Sequence, residues 1–211
     1  MAKEKRMSVF TYILGMYKTN CYLITDGKDA VIVDPADRAG YLLSKLEEKG
    51  LSLKRILLTH AHFDHIMATN ELKAQTCAVV CAGFPDKEGL QDVEKSYLLQ
   101  LGRRTEGIKA DVLFTHGDTF CELGENVTVL LTAGHTKGSV CYVIGRDIFC
   151  GDLVFKDGFG RCAPASSIPW PVPIRRSVSN RARSTSPSPP AAAPAVPCTP
   201  TTWLLAPPPT A

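Results

Sequence analysis

Proline draws the sharpest line in this chain of 211 residues, because 13 of its 15 prolines fall in the last stretch, residues 163–211. Proline fixes φ and removes a backbone donor, so a run such as SPSPPAAAPAVPCTP cannot enter a central strand or a helix interior. The same stretch has no Asp, Glu or Lys, and its only charges are Arg175, Arg176, Arg181 and Arg183. Residues 163–211 are therefore expected to be a disordered or polyproline-like tail. Folding is expected in residues 1–162, which is enough chain for one domain with a sizeable core.

Charge follows the same division. All 21 acidic residues lie in 1–162 with 20 of the 24 basic ones, so this part carries a net charge of −1 and the tail alone makes the whole chain +3. No basic, aromatic-rich strip is present, and no nucleic-acid partner is expected. No run reaches the roughly 18–20 apolar residues that span a bilayer. The opening MAKEKRMSVFTYILGMY is broken by Thr11, Gly15 and Lys18 and lacks a small-residue cleavage site. A cytoplasmic protein without a membrane partner is expected. The eight cysteines, several of them inside apolar runs (CAVVCA, SVCYVI, DIFC), then read as reduced thiols rather than a disulfide framework.

Within 1–162, short apolar strands alternate with helical patterns. Phe10–Tyr17, Cys21–Thr25 and Ala30–Val33 read as strands, with turns at Lys18-Thr19-Asn20 and Asp26-Gly27-Lys28. Residues 41–46 have helical spacing, with Gly50 as a stop. Arg55–Leu58 reads as a buried strand, Ile66–Gln75 as a helix and Cys77–Cys81 as a strand. Lys87–Leu101 has apolar residues at 90, 93, 97, 98 and 101, which predicts a helix. Val112–Phe114, Val127–Leu131, Val140–Ile144 and Asp147–Cys150 read as strands of a meander. The layout is mixed α/β.

The chemistry concentrates after the strand Arg55–Leu58, in Thr59-His60-Ala61-His62-Phe63-Asp64-His65. Three of the five histidines and one aspartate fall within six residues. Imidazole and carboxylate are the ligands that Zn²⁺ prefers, and a loop leaving a strand end can aim several of them into one pocket. Ligand-type residues also follow three other strands: Asp34, His135 (in Ala133-Gly134-His135-Thr136) and Asp152 (in Gly151-Asp152). The fifth histidine, His116, sits in Thr115-His116-Gly117-Asp118, which looks like a hairpin turn rather than a ligand site.

That order of motifs resembles the metallo-β-lactamase superfamily over about residues 8–162, and within it the short glyoxalase II-like (hydroxyacylglutathione hydrolase-like) enzymes. The matching residues are HAHFDH at 60–65, Gly134-His135-Thr136-Lys137-Gly138-Ser139, Asp152, Asn20-Cys21-Tyr22 and Asp34-Pro35. The resemblance implies an αββα sandwich with a two-metal site. His60, His62 and His135 would hold the first ion and Asp64 and His65 the second. Asp152 would bridge both, Asp64 would carry the catalytic assignment, and Asp34 would orient the site from behind the ligands. It implies zinc, with iron or manganese as alternatives, and a metal-activated hydroxide that attacks a small-molecule thioester such as a hydroxyacyl-glutathione. A mono-iron persulfide dioxygenase on the same fold, and an inactive metal-binding remnant, are the competing readings.

The family pattern ends in a further His after the bridging Asp, and no His follows His135 here. The second metal would then be one protein ligand short and more weakly held, and the sandwich incomplete at its C-terminal end. The abrupt change near residues 161–163 is what out-of-frame reading of GC-rich DNA produces, so a frameshifted tail is expected, with a proline-rich linker as the alternative.

Overall fold

The structure is a computed structural model and describes residues 7–96 and 106–162. The tail 163–211, with its expected disorder and frameshift, lies outside the described residues. So does the last part of the helix expected at 87–101.

Two sheets carry the fold. The first has six strands in the order β1 (Ser8–Leu14), β2 (Thr19–Thr25), β3 (Asp29–Val33), β4 (Ser52–Leu57), β5 (Val79–Gly83) and β6 (Val112–Phe114). β1 to β3 pair antiparallel through short turns, and β3 to β6 pair parallel. Parallel neighbours need crossovers, which α1 (Ala39–Glu48) supplies between β3 and β4 and α3 (Thr69–Thr76) between β4 and β5. The second sheet is an antiparallel meander of β7 (Thr119–Glu122), β8 (Glu125–Leu131), β9 (Val140–Ile144) and β10 (Asp147–Phe149). A small hairpin, β11 (Val154–Phe155) with β12 (Gly158–Phe159), follows.

Alternation along the strands builds two cores. On β3, Ala30 and Ile32 face a core shared with Leu42, Leu46 and Leu72 of the helices. Val31 and Val33 face the opposite way, onto Val127, Val129, Val140 and Tyr142 of the second sheet. Covered on both faces, this strand reads as the unbroken apolar run AVIV. The described residues therefore form helix, sheet and sheet layers of the expected sandwich. Among them no helix is long and apolar enough to cross a membrane.

Several boundaries differ from expectation. β1 stops at Leu14, because Gly15 and Lys18 turn the chain with positive φ; Thr19 and Asn20 then pair within β2. The helix expected at 66–75 is two pieces, α2 (Phe63–Ile66) and α3, with the Ala68 N–H diverted to the Pro35 carbonyl (3.0 Å). Cys77 caps α3 in the left-handed region, so β5 starts two residues later. The helix from Lys87 ends at Gln91 as α4, where Asp92 turns extended and its carboxylate accepts the N–H groups of Glu94 and Lys95. Strand β7 was not foreseen; its pairing with β8 comes from the hairpin at Leu123-Gly124. Six described cysteines are free thiols, but only Cys21, Cys81 and Cys141 are buried; Cys77 and Cys162 are exposed, and Cys121 is disulfide-bonded.

Candidate metal centre

One end of the sandwich gathers the polar residues, because the carboxyl ends of β3, β4 and β5 open there beside the β8–β9 connection and the end of β10. This is where an open parallel sheet leaves a crevice for ligands. The two sheets are tied at this edge by the Val140 N–H donating to the Thr59 carbonyl (2.9 Å) and by the Tyr142 hydroxyl donating to the Leu58 carbonyl (2.9 Å).

Asp34, just past β3, is 1% exposed and has a positive φ of 50°. Its Oδ1 accepts the Thr59 N–H (2.8 Å), and its Oδ2 accepts the Thr59 hydroxyl (2.7 Å) and contacts His65 Nδ1 at 2.8 Å. With Nδ1–H donated to this carboxylate, His65 directs Nε2 towards Asp152 Oδ1, 3.1 Å away. Burial pulls the His65 pKa down, but Asp34, Asp152 and Asp64 outweigh it and hold it up at about 10. Asp152 is itself drawn below the usual carboxylate range: partial burial pushes it up, and the bond and charge of His65 pull it down further.

His60 is 2% exposed and lies 4.2–4.7 Å, ring centre to ring centre, from His65, His62 and His135. Its Nδ1 meets the Thr59 hydroxyl at 3.0 Å, while its Nε2 is buried with no hydrogen-bond partner. Such an orphan is expensive unless something binds it. Burial, then the neighbouring histidines, keep His60 far below the ordinary imidazole value and bring His62 to about 4. His62 Nδ1 lies 2.8 Å from His135 Nε2, and His135 Nδ1 donates to the Arg161 carbonyl (2.7 Å).

The donor atoms of His60, His62 and His135 lie within 4.8 Å of one another, as do those of His60, His65 and Asp152. Imidazole nitrogens that converge in this way, one of them buried and unsatisfied, fit a borderline-soft divalent cation. Asp64 stands at the rim, outside both sets. Its Oδ2 accepts the Thr19 hydroxyl (3.2 Å) and lies 3.6 Å from His65 Nε2. His116 is elsewhere, accepting the Leu131 N–H at the β6–β7 turn (3.2 Å).

The sequence reading missed Asp86. It follows β5 as Asp34 follows β3, and that shared position was the one available signal. Asp86 is 5% exposed and bonded to both ligand-bearing loops. The cluster forms the floor of an open cleft of about 1000 Å³, walled by Tyr17, Phe63, Phe155 and Phe159 and edged by Lys95, Lys137 and Arg161.

Comparison with known proteins bears on the family and the fold. A sequence model of the metallo-beta-lactamase superfamily matches residues 14–194. The chain is 36% identical over 155 residues to a hydroxyacylglutathione hydrolase of Dechloromonas aromatica, covering 74% of this chain and 51% of the relative. It is 30% identical over 158 residues to a probable polyketide biosynthesis zinc-dependent hydrolase of Bacillus velezensis, covering 72% and 62%. These first relatives are matched over only about half to three fifths of their length. Among solved structures, the BLEG-1 B3 metallo-beta-lactamase is similar with a TM-score of 0.68 and 33% identity, covering 73% of this chain and 76% of that one. TTHA1623 in a di-iron-bound form is similar with a TM-score of 0.62 and 29% identity, covering 76% and 80%.

Proposed function

We propose that this chain, which belongs to the metallo-β-lactamase superfamily, is a metal-dependent hydrolase of thioesters of the hydroxyacyl-glutathione type. One observation carries the metal part: a buried, unpartnered His60 Nε2 at the meeting point of four imidazoles and a carboxylate. The thioester part is supported by the 36% identity to a hydroxyacylglutathione hydrolase.

His60, His62 and His135 would hold one ion; His65 and Asp64 would hold a second, with Asp152 between the two. A bound divalent ion supplies Lewis acidity and brings the pKa of a coordinated water towards neutrality, to about 7 in favourable cases. The chain's own residues do the rest. Asp34 takes the Nδ1–H of His65 and so keeps Nε2 directed into the site. The Arg161 carbonyl does the same for His135, fixing which of its nitrogens faces the cluster. Tyr17 and Phe63, packed edge to face at 5.4 Å, give one wall of the cleft apolar area that displaces water from an acyl chain. A thiolate is a good leaving group, so the cleft needs no strong acid beside it.

Zinc is the ion proposed, on the N and O donor set. The second ion is proposed to bind more weakly, because its set has one protein ligand fewer than the family pattern. The change of composition near residues 161–163 is proposed to be a frameshift. The test is hydrolysis of S-lactoylglutathione by the zinc-loaded chain and by a frame-corrected version, with a β-lactam as the control substrate. Turnover of the thioester by either, exceeding that of the β-lactam, supports the reading. Turnover of the β-lactam alone, or a single iron with oxygen consumption on a persulfide, replaces it with the corresponding alternative.

A further inference from the structure

We infer that Asp86 is a positioning residue that sets the spacing of the first metal-ligand set, by clamping the loop that carries His60 and His62 to the loop that carries His135. This rests on the reading above only in that those three histidines hold an ion.

The geometry is specific. Asp86 Oδ2 accepts the Ala61 N–H at 2.9 Å, and Ala61 stands between two of the histidines. The same oxygen accepts the Thr136 hydroxyl at 2.7 Å, and Thr136 directly follows the third. Asp86 Oδ1 accepts the Gly138 N–H at 2.8 Å. Three donors from two loops thus converge on one carboxylate that is 5% exposed. Burial raises its pKa, and these same three bonds oppose that rise.

The backbone is shaped to let the clamp close. A Cβ on Gly138 would overlap the backbone nitrogen of Asp86, and a Cβ on Gly83 would overlap the Gly138 carbonyl. The β5 end and the 133–139 loop therefore touch main chain to main chain. Elsewhere the two segments are joined by the Val140 N–H donating to the Thr59 carbonyl (2.9 Å), at the strand ends, and by the direct meeting of His62 and His135 themselves (2.8 Å). That meeting is between the ligand atoms, which an ion must separate, so a tether beyond the strand ends falls to the residues that flank the ligands. Asp86 supplies it without touching any imidazole.

An asparagine at 86 is isosteric but presents an NH₂ where the carboxylate accepts. One of the three donors then faces another donor. The experiment is competitive zinc titration against a chromophoric chelator, on the full chain and on Asp86→Asn, Thr136→Val and Thr136→Ser, with the thermal midpoint of each metal-free protein measured in parallel. Asp86→Asn is expected to weaken the tightest zinc by about 10- to 100-fold, the range seen when groups behind metal ligands are lost. Thr136→Val is expected to weaken it less, and Thr136→Ser, which keeps the hydroxyl, to bind as the parent does. Asp86→Asn binding the tight zinc as the parent does, with only its metal-free midpoint lowered, overturns the inference and leaves the metal reading standing. A parent chain that takes up no stoichiometric zinc overturns both. Should Asp86→Asn fail to fold, the Thr136 pair decides: equal affinities for Val and Ser overturn the clamp.

Discussion

The two donor sets that share His60 are prepared in opposite ways. In the first, His60 and His62 are held neutral by burial and by each other, and a buried nitrogen is left without a partner. In the second, His65 lies between Asp34 and Asp152 with its pKa near 10, so a proton already balances the carboxylates. The first set has lone pairs waiting for a cation, whereas the second must give up a proton to accept one. The difference teaches that two neighbouring donor sets, built from nearly the same residue types, are prepared differently by the groups behind the ligands.

The comparison breaks most visibly at His60, which both sets use. His60→Ala is expected to abolish tight zinc binding and to lower thioester hydrolysis by about a thousandfold, the equivalent of several kcal/mol of transition-state stabilisation. Elemental analysis and initial rates check it, and a variant that retains one ion per chain removes His60 from the centre.

Asp34→Asn sharpens the contrast. An amide cannot accept from both Thr59 groups and His65 together. The weaker ion is expected to lose about 10- to 100-fold in affinity while the tighter ion changes little. Equal loss at both, in a two-site titration, contradicts the division.

Much of the site's residue set was legible in the sequence. His60, His62, His135 and Asp152 are ligand-type residues just past strands, and alternation along AVIV or Val127–Leu131 marks those strands. Asp86 was not legible as a partner, because its bonds reach 25 and 52 residues along the chain and a Pro-Asp pair reads locally as a turn. Asp64 carries the motif as strongly as its neighbours, yet the fold sets it at the rim beside Thr19. The described part of the helix expected at 87–101 stops at Gln91 in a tertiary setting: Asp92 is extended, and the Ser96 carbonyl accepts the Phe63 N–H (2.9 Å).

Substitutions that alter the frame without touching a ligand should affect stability more than metal binding. Gly151 has a φ of 48°, and a Cβ there would overlap the Thr59 side chain. Gly151→Ala is expected to cost about 1–3 kcal/mol. Tyr142→Phe removes the hydroxyl that donates to the buried Leu58 carbonyl, at about 1–2 kcal/mol. In a domain of this size each kcal/mol lowers the melting midpoint by about 2–4 °C, and thermal denaturation reads both. A Tyr142→Phe midpoint equal to the parent's removes that tie between the sheets.

The pH dependence of the metal-free chain tests the same contrast without any substitution. For His60 and His62, held below the ordinary 6.5, stability is complete above pH 6.5 and drains as the pH falls towards 4, because the unfolded chain takes up protons first. For His65, raised to about 10, the contribution is complete below pH 6.5 and is lost as the pH rises through about 10. These three groups therefore favour a stability maximum near pH 6.5 that saturating zinc flattens on the acid side only at pH values where the histidines stay deprotonated. A metal-free profile without an acid limb between pH 6.5 and 4 contradicts the neutral state assigned to His60 and His62.

The most direct measurement is anomalous X-ray diffraction at the zinc edge from crystals of the zinc-loaded chain. A strong peak bonded to His60 Nε2 and shared with His62 and His135, with any second peak weaker and beside His65 and Asp152, is the predicted result. A fully loaded protein with its zinc bound elsewhere, or with the stronger peak beside His65, contradicts the account.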